Sequence, residues 1–167
     1  QRGSDINGEN ENDNSGSSVS LSSDGTIVAI GAPNNNGGGS NAGHVRVYAW
    51  NGNSWVQRGN DINGEDAYDN SGSSVSLSSN GTIVAIGAPN NDNNSDSNRG
   101  HVRVYAWNGN SWVQRGSDIN GENENDNSGS SVSLSSDGTI VAIGAPNNNG
   151  GGSNAGHVRI YKYLLVI

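Results

Sequence analysis

Polar and apolar residues alternate over Ser18-Val19-Ser20-Leu21-Ser22, the period of a strand with one face covered. Asp24-Gly25 follows and predicts a two-residue hairpin turn, since glycine accepts the positive φ of a type I′ turn. Thr26-Ile27-Val28-Ala29-Ile30 is then apolar almost without a break, which predicts a strand buried on both faces. Pro33 ends it, because proline has no N–H to donate to a ladder. A long Asn/Gly loop, residues 34–43, leads to a third strand, His44-Val45-Arg46-Val47-Tyr48-Ala49-Trp50. Asn51-Gly52 opens a second hairpin, and Trp55-Val56-Gln57-Arg58 makes a fourth strand, with Trp50 and Trp55 expected to pack across the turn. No stretch carries apolar residues at helical spacing between caps.

This unit occurs three times. Gln1-Arg2-Gly3 returns as Gln57-Arg58-Gly59 and as Gln114-Arg115-Gly116, which divides one repeat domain, 1–167, into repeats 1–56, 57–113 and 114–167. Residues 1–46 are identical to residues 114–159. Four short antiparallel strands joined by tight or polar connections make one β-propeller blade, so the fold class is all-β with three propeller-type blades. A β-trefoil or a β-prism, each built on three similar units, is the alternative. The chain starts partway through a fourth strand and stops just after a third, with the tail Leu164-Leu165-Val166-Ile167. That offset suits a closure in which the start of one chain completes the last blade of another, as in a six-bladed ring of two chains. It equally suits a piece of a longer array.

Composition changes the picture only in part. A hydrophobic fraction of 30% and a net charge of −8 lie close to the disordered class, yet the apolar residues are gathered into regularly spaced runs, which disorder does not require. Cysteine is absent, which removes disulfides and thiolate metal sites. The acidic balance and the lack of a basic patch exclude nucleic acid as the expected partner, and the apolar tail is too short to span a bilayer.

The segment from Asn14-Ser15-Gly16-Ser17-Ser18 through Ala29-Ile30-Gly31-Ala32-Pro33 resembles an FG-GAP repeat, the blade unit of integrin α-chain propellers and of many secreted proteins. Gly-Ala-Pro stands at Gly31, Gly87 and Gly144, and the "FG" pair is Ser-Gly at Ser15-Gly16, Ser71-Gly72 and Ser128-Gly129. The resemblance implies an extracellular or cell-surface propeller. Many members carry a calcium loop between the first two strands; here that link is only Ser22-Ser23-Asp24-Gly25-Thr26, so the family's calcium site is expected to be missing at Asp24, Asn80 and Asp137.

In an up-and-down blade, successive connections alternate between the two ends of the strands. The long loops, 34–43 and 5–16 and their counterparts, therefore share one end, and the short hairpins share the other. Apart from Asp24 and Asp137, every acidic residue lies in a long loop, which predicts one acidic, Asn-rich face. Within it, Asp5, Asn7, Glu9, Glu11 and Asp13 alternate, and Asp118, Asn120, Glu122, Glu124 and Asp126 repeat them; the second copy has Asp61, Asn63, Glu65, Asp66 and Asp69. Alternating hard oxygen ligands suit calcium, the one cofactor the sequence points to; they equally suit a solvated loop whose carboxylates bond nearby backbone N–H groups. The amides and carboxylates of Asn34, Asn35 and Asn36, of Asn90, Asn91 and Asp92 with Asn93, Asn94 and Asp96, and of Asn147, Asn148 and Asn149 could read sugar hydroxyls, or serve only as turn formers. His44, His101 and His157 open the third strands; a structural role is expected, with one ring nitrogen bonded to backbone. Arg46 and Arg103 are expected to take a packing and surface role, with their stems lying on the sheet. Two sequons, at Asn80 and Asn93, matter only in a eukaryotic secretory setting.

No nucleophile motif, phosphate loop or dinucleotide fingerprint is present, so no enzyme activity is expected. The function this reading favours is a non-enzymatic extracellular module for adhesion, matrix or surface scaffolding, acting through the acidic face. Its partners are further copies or blades of itself, and a surface protein or glycan. A carbohydrate-binding lectin and the subunit of a self-assembling fibre are the rival classes.

Overall fold

The computed structural model describes residues 1–92 and 97–163. It is all-β: among the described residues there is no helix, and every ladder is antiparallel. The first sheet holds β1 (Ser18–Leu21), β2 (Ile27–Ala32), β3 (His44–Trp50), β4 (Trp55–Gln57) and β5 (Ile62–Asn63). The second gives β6 (Ser74–Leu77), β7 (Ile83–Ala88), β8 (His101–Trp107), β9 (Trp112–Gln114) and β10 (Ile119–Asn120). The third gives β11 (Ser131–Leu134), β12 (Ile140–Ala145) and β13 (His157–Lys162). Each sheet takes its first three strands from one repeat, and the first two sheets are finished by the opening residues of the next repeat; the sheets stack through β1, β6 and β11 as successive blades, and the array is not closed. One sheet per repeat length, finished by residues of the following repeat, is the propeller arrangement rather than a trefoil.

Two details differ from the sequence reading. The first hairpin is not a two-residue turn: Leu21 pairs with Val28, the Ser22 N–H donates to the Ile27 carbonyl, and only Gly25 has positive φ, at 66°. Asp24 shapes this longer loop by accepting from the Ser22 hydroxyl and from both N–H and hydroxyl of Thr26, at 2.7–3.0 Å. The fourth strand is also longer than its first three residues. β4 pairs with the end of β3 (Tyr48↔Gln57) and β5 with its start (Val45↔Ile62), so the chain bulges outward between Gln57 and Ile62. Ile62, read as part of a loop, is instead buried.

β2 and β7 are buried along their whole length, and β7 lies between two neighbouring blades. One core cluster joins Ile27, Ala29, Val45 and Val47 of the first blade to Val75, Leu77, Val84 and Ile86 of the second. Another joins Ile83, Ala85, Val102 and Val104 to Val141 and Ile143 of the third. The motif glycines set how closely the blades approach. A Cβ on Gly31 would strike the carbonyl of Gly72, and one on Gly87 that of Gly129. The "GAP" glycine of one blade thus receives the "FG" glycine of the next, and Ser18 and Ser74 hydroxyls donate to the same two carbonyls at 2.7 Å. Just beyond, the Asn70 amide donates to the Pro33 carbonyl and the Asn127 amide to that of Pro89, so the first two Gly-Ala-Pro segments are tied to the following blade.

Candidate functional site

The long loops do share one end. Tyr68, Asn70 and Ser71 donate their backbone N–H groups to Ser40, Asn41 and Ala42, a direct bond between one blade's loop and the link into the next. At the other end the short turns bond each other, Ser23 to Ser79 and Ser79 to Ser136. Asp24 and Asp137 lie at this second end; their turn hydroxyl and N–H donors, the Ser22 and Ser135 hydroxyls foremost, hold both carboxyls down to about 2.

Within the acidic face the candidate residues fall into separate roles. Asp13, Asp69 and Asp126 are buried, each accepting from the N–H three residues before it and from the amide of Asn35, Asn91 or Asn148 respectively, at 2.7–2.9 Å for the amide bonds. Burial pushes the Asp69 carboxyl up, against the pull of the Asn91 amide. The amides of Asn35, Asn91 and Asn148 are therefore spent inside the fold. Asn36 and Asn149 accept the backbone N–H of Asn41 and Asn154, closing their own loops. Asn34 and Asn90 accept from the Asn70 and Asn127 amides, and Asn147 donates to Asn127; Asp92 accepts the Asn98 N–H. Asn7, Asn63 and Asn120 present their backbone carbonyls to Arg46, Arg103 and Arg159. Asp5 accepts from the Gln1 amide, and Glu11 and Glu124 are exposed. The alternating acids of one loop are thus not gathered around a common point. Asn93, Asn94 and Asp96, with the Asn93 sequon, and the tail from Leu164 to Ile167 lie outside the described residues.

What the fold does bring together comes from different segments. His44, at the start of β3, is 1% exposed, and its Nδ1 lies 3.9 Å from Glu9 Oε2 and 3.8 Å from Asp61 Oδ2. Glu9 sits in the link before the first blade, and Asp61 in the bulge of the fourth strand. The second blade repeats this with Glu65, His101 and Asp118; in each trio the ligand-type atoms lie within 4.8 Å of one another. In the third blade, His157 Nδ1 and Glu122 Oε2 are 3.6 Å apart. The other oxygen of each glutamate meets an arginine two residues beyond the histidine, Arg46, Arg103 or Arg159, at 3.5 Å.

These contacts correct two expectations. Neither ring nitrogen of His44 bonds backbone, and neither has any hydrogen-bond partner. Arg46 and Arg103 do not lie on the surface; they are 6% and 5% exposed, stacked near Tyr48 and Tyr105. Burial pushes the His44 and His101 imidazoles down, His101 to about 4, so both rings are neutral at pH 7 despite their acidic neighbours. Burial likewise raises the Glu65 carboxyl. The sequence signal for the histidines was their fixed place two positions before an arginine in every repeat. Their carboxylate partners were hidden because one precedes the histidine by two whole strands and the other follows it across a hairpin.

No helix among the described residues is long and apolar enough to cross a membrane. No curated protein matches the chain. The model of the FG-GAP repeat matches residues 7–48 and 120–161, the spans that run from the link before β1 to Tyr48 and from Asn120 to Tyr161. With the Gly-to-Gly contact between blades and three sheets in register, this makes the chain a member of the FG-GAP repeat family.

Proposed function

We propose that this chain is a non-enzymatic extracellular scaffolding module whose copies associate head to tail, presenting their acidic loop ends along one face for adhesion or matrix contact. The observation that carries this reading is the state of the two outer blades. Val19 and Leu21 of β1 are 63% and 58% exposed, whereas their counterparts Val75 and Leu77 are 9% and 7% exposed against the first blade. On the opposite side, Ile140, Val158 and Ile160 are 41%, 66% and 72% exposed, whereas Ile27, Val45 and Val47 are buried against the second blade. These two open faces are the two halves of an interface that the chain already makes twice within itself. Because residues 1–46 repeat as 114–159, the first blade of a second copy offers the third blade nearly the residues that the second offers the first; it differs at the positions of Asn60, Asp66, Ala67, Tyr68 and Asn80 and in the loop from residue 92 to 99. Gln1, Ile6 and Asn7 of that copy also have the residue types of Gln57, Ile62 and Asn63, which pair with β3.

Covering such side chains contributes about 1 kcal/mol or more each, and the contact is heterologous, so it closes into a ring or runs on as a fibre according to the turn per blade. The extracellular placing rests on the family's usual setting. Light scattering after gel filtration tests the association. A mass of two or more chains is expected for the native sequence, falling to one for Leu21→Glu, a substitution at a site already exposed in the single chain. A native sequence that runs as one chain at tens of micromolar would sink the reading.

A further inference from the structure

We infer that Glu9, His44 and Asp61, and their counterparts Glu65, His101 and Asp118, form two binding sites for a divalent transition-metal ion of the zinc type. The argument begins with His44. A buried imidazole normally satisfies at least one nitrogen, since leaving a polar group unmet away from water is costly. Both nitrogens of His44 are unmet, and Nδ1 points between two carboxylate oxygens on separate segments. Nδ1 carries at most one hydrogen, so two carboxylate oxygens beside it are more than it can bond. One cation between the three groups would satisfy all of them.

The carboxylates are held for this from behind. Asp61 Oδ1 accepts from the Gln57 amide at 2.7 Å, which leaves Oδ2 facing the imidazole. Glu9 Oε1 lies against Arg46, which leaves Oε2 facing it. The second site has the same supports: Gln114 on Asp118 at 2.7 Å, and Arg103 on Glu65. Partners of this kind orient metal ligands and fix which oxygen is offered. A cleft lined by Glu9, Gln57, Asn60, Asp61 and Asn63 opens onto the first site and gives an ion a way in.

The donor set selects the ion. One nitrogen and two carboxylate oxygens, with an open position for water, suit four-coordinate zinc; calcium takes six to eight oxygens. Ligand atoms around tetrahedral zinc sit about 3.3 Å apart, so the 3.8 and 3.9 Å separations need to close by only about half an ångström. This differs from the calcium expected from alternation within one loop: the ligands come from a link, a strand and a bulge, and only one comes from each. In the third blade Glu122 and His157 form the same pair, and Asp5 is the repeat's equivalent of Asp61 and Asp118. Where copies associate head to tail, Asp5 of a second copy would complete a third site.

Calorimetric titration with zinc chloride in a non-chelating buffer tests the inference. One ion should bind at each intact site, and two of these sites should be lost per chain in the Asp61→Asn, Asp118→Asn double variant, with affinity there weakened about tenfold or more. Both aspartates are partly exposed, so the metal-free double variant should melt as the native chain does. Cobalt in place of zinc should give visible absorption of a low-coordinate ion, and millimolar calcium should not displace it. Absence of zinc uptake by the folded native chain would overturn the assignment, as would uptake that the double substitution leaves unchanged. Native mass reads the association separately, so the two ideas fail independently.

Discussion

At the scale of single residues, one oxygen can decide a turn. Asp24 Oδ1 accepts three hydrogen bonds, two of them from Thr26, and Asn80 uses its amide oxygen for the same three in the second blade. The turn therefore needs an acceptor and not a charge. The charge nonetheless makes its contribution depend on pH. A carboxyl held down to about 2 in the folded chain, against an ordinary 3.8, binds protons less readily than it does unfolded. Its stabilisation is present above about pH 4 and is lost as pH falls from about 4 to about 2. Replacing Asp24 and Asp137 by Asn should leave the melting temperature at pH 7 nearly unchanged and reduce its fall between pH 4 and pH 2. Thermal melts across that range would refute the account if the fall were the same in both proteins.

At the scale of strands and blades, the same glycine in two settings separates local from inter-blade demands. A Cβ on Gly87 would meet the Gly129 backbone carbonyl, which cannot move without parting the blades. On Gly144 it would meet mainly the Ser131 hydroxyl, which can rotate away. Gly87→Ala should cost about 2–3 kcal/mol in urea unfolding and Gly144→Ala under about 1 kcal/mol. Equal costs would mean that the glycine serves its own strand rather than the blade contact. Much of this architecture was legible in the sequence. The alternation of Ser18 to Leu21, the apolar run of β2 and the Trp50–Trp55 pair, with ring centroids 5.4 Å apart, all report local geometry, and local geometry repeats with the sequence. The second half of the fourth strand was not legible, because Ile62-Asn63 is too short to show a period and pairs only after a bulge. The trio at His44 was hidden for a related reason: it depends on which segments the sheet brings to one end, and no spacing along the chain encodes that.

At the scale of the whole molecule, the three blades share a sequence but not a burial. The middle blade has a neighbour on each side, and its third strand is buried through Tyr105. β13 has the same pattern of residue types yet alternates between partly buried and exposed, because no blade among the described residues covers Val158 and Ile160. In a stack of repeats, stability is close to a sum of each unit's own term and its contacts with its neighbours. The middle blade has two such contacts and each outer blade has one. Amide hydrogen exchange on a chain held as a single copy by Leu21→Glu should therefore show the slowest exchange in β7 and β8 and markedly faster exchange in β12 and β13. In the native sequence, association should slow β13 toward the rates of β8, since its open face would be covered. Uniform protection across the three blades would mean that each sheet is held mainly by its own ladder, and that the apolar contacts between blades carry little of the stability.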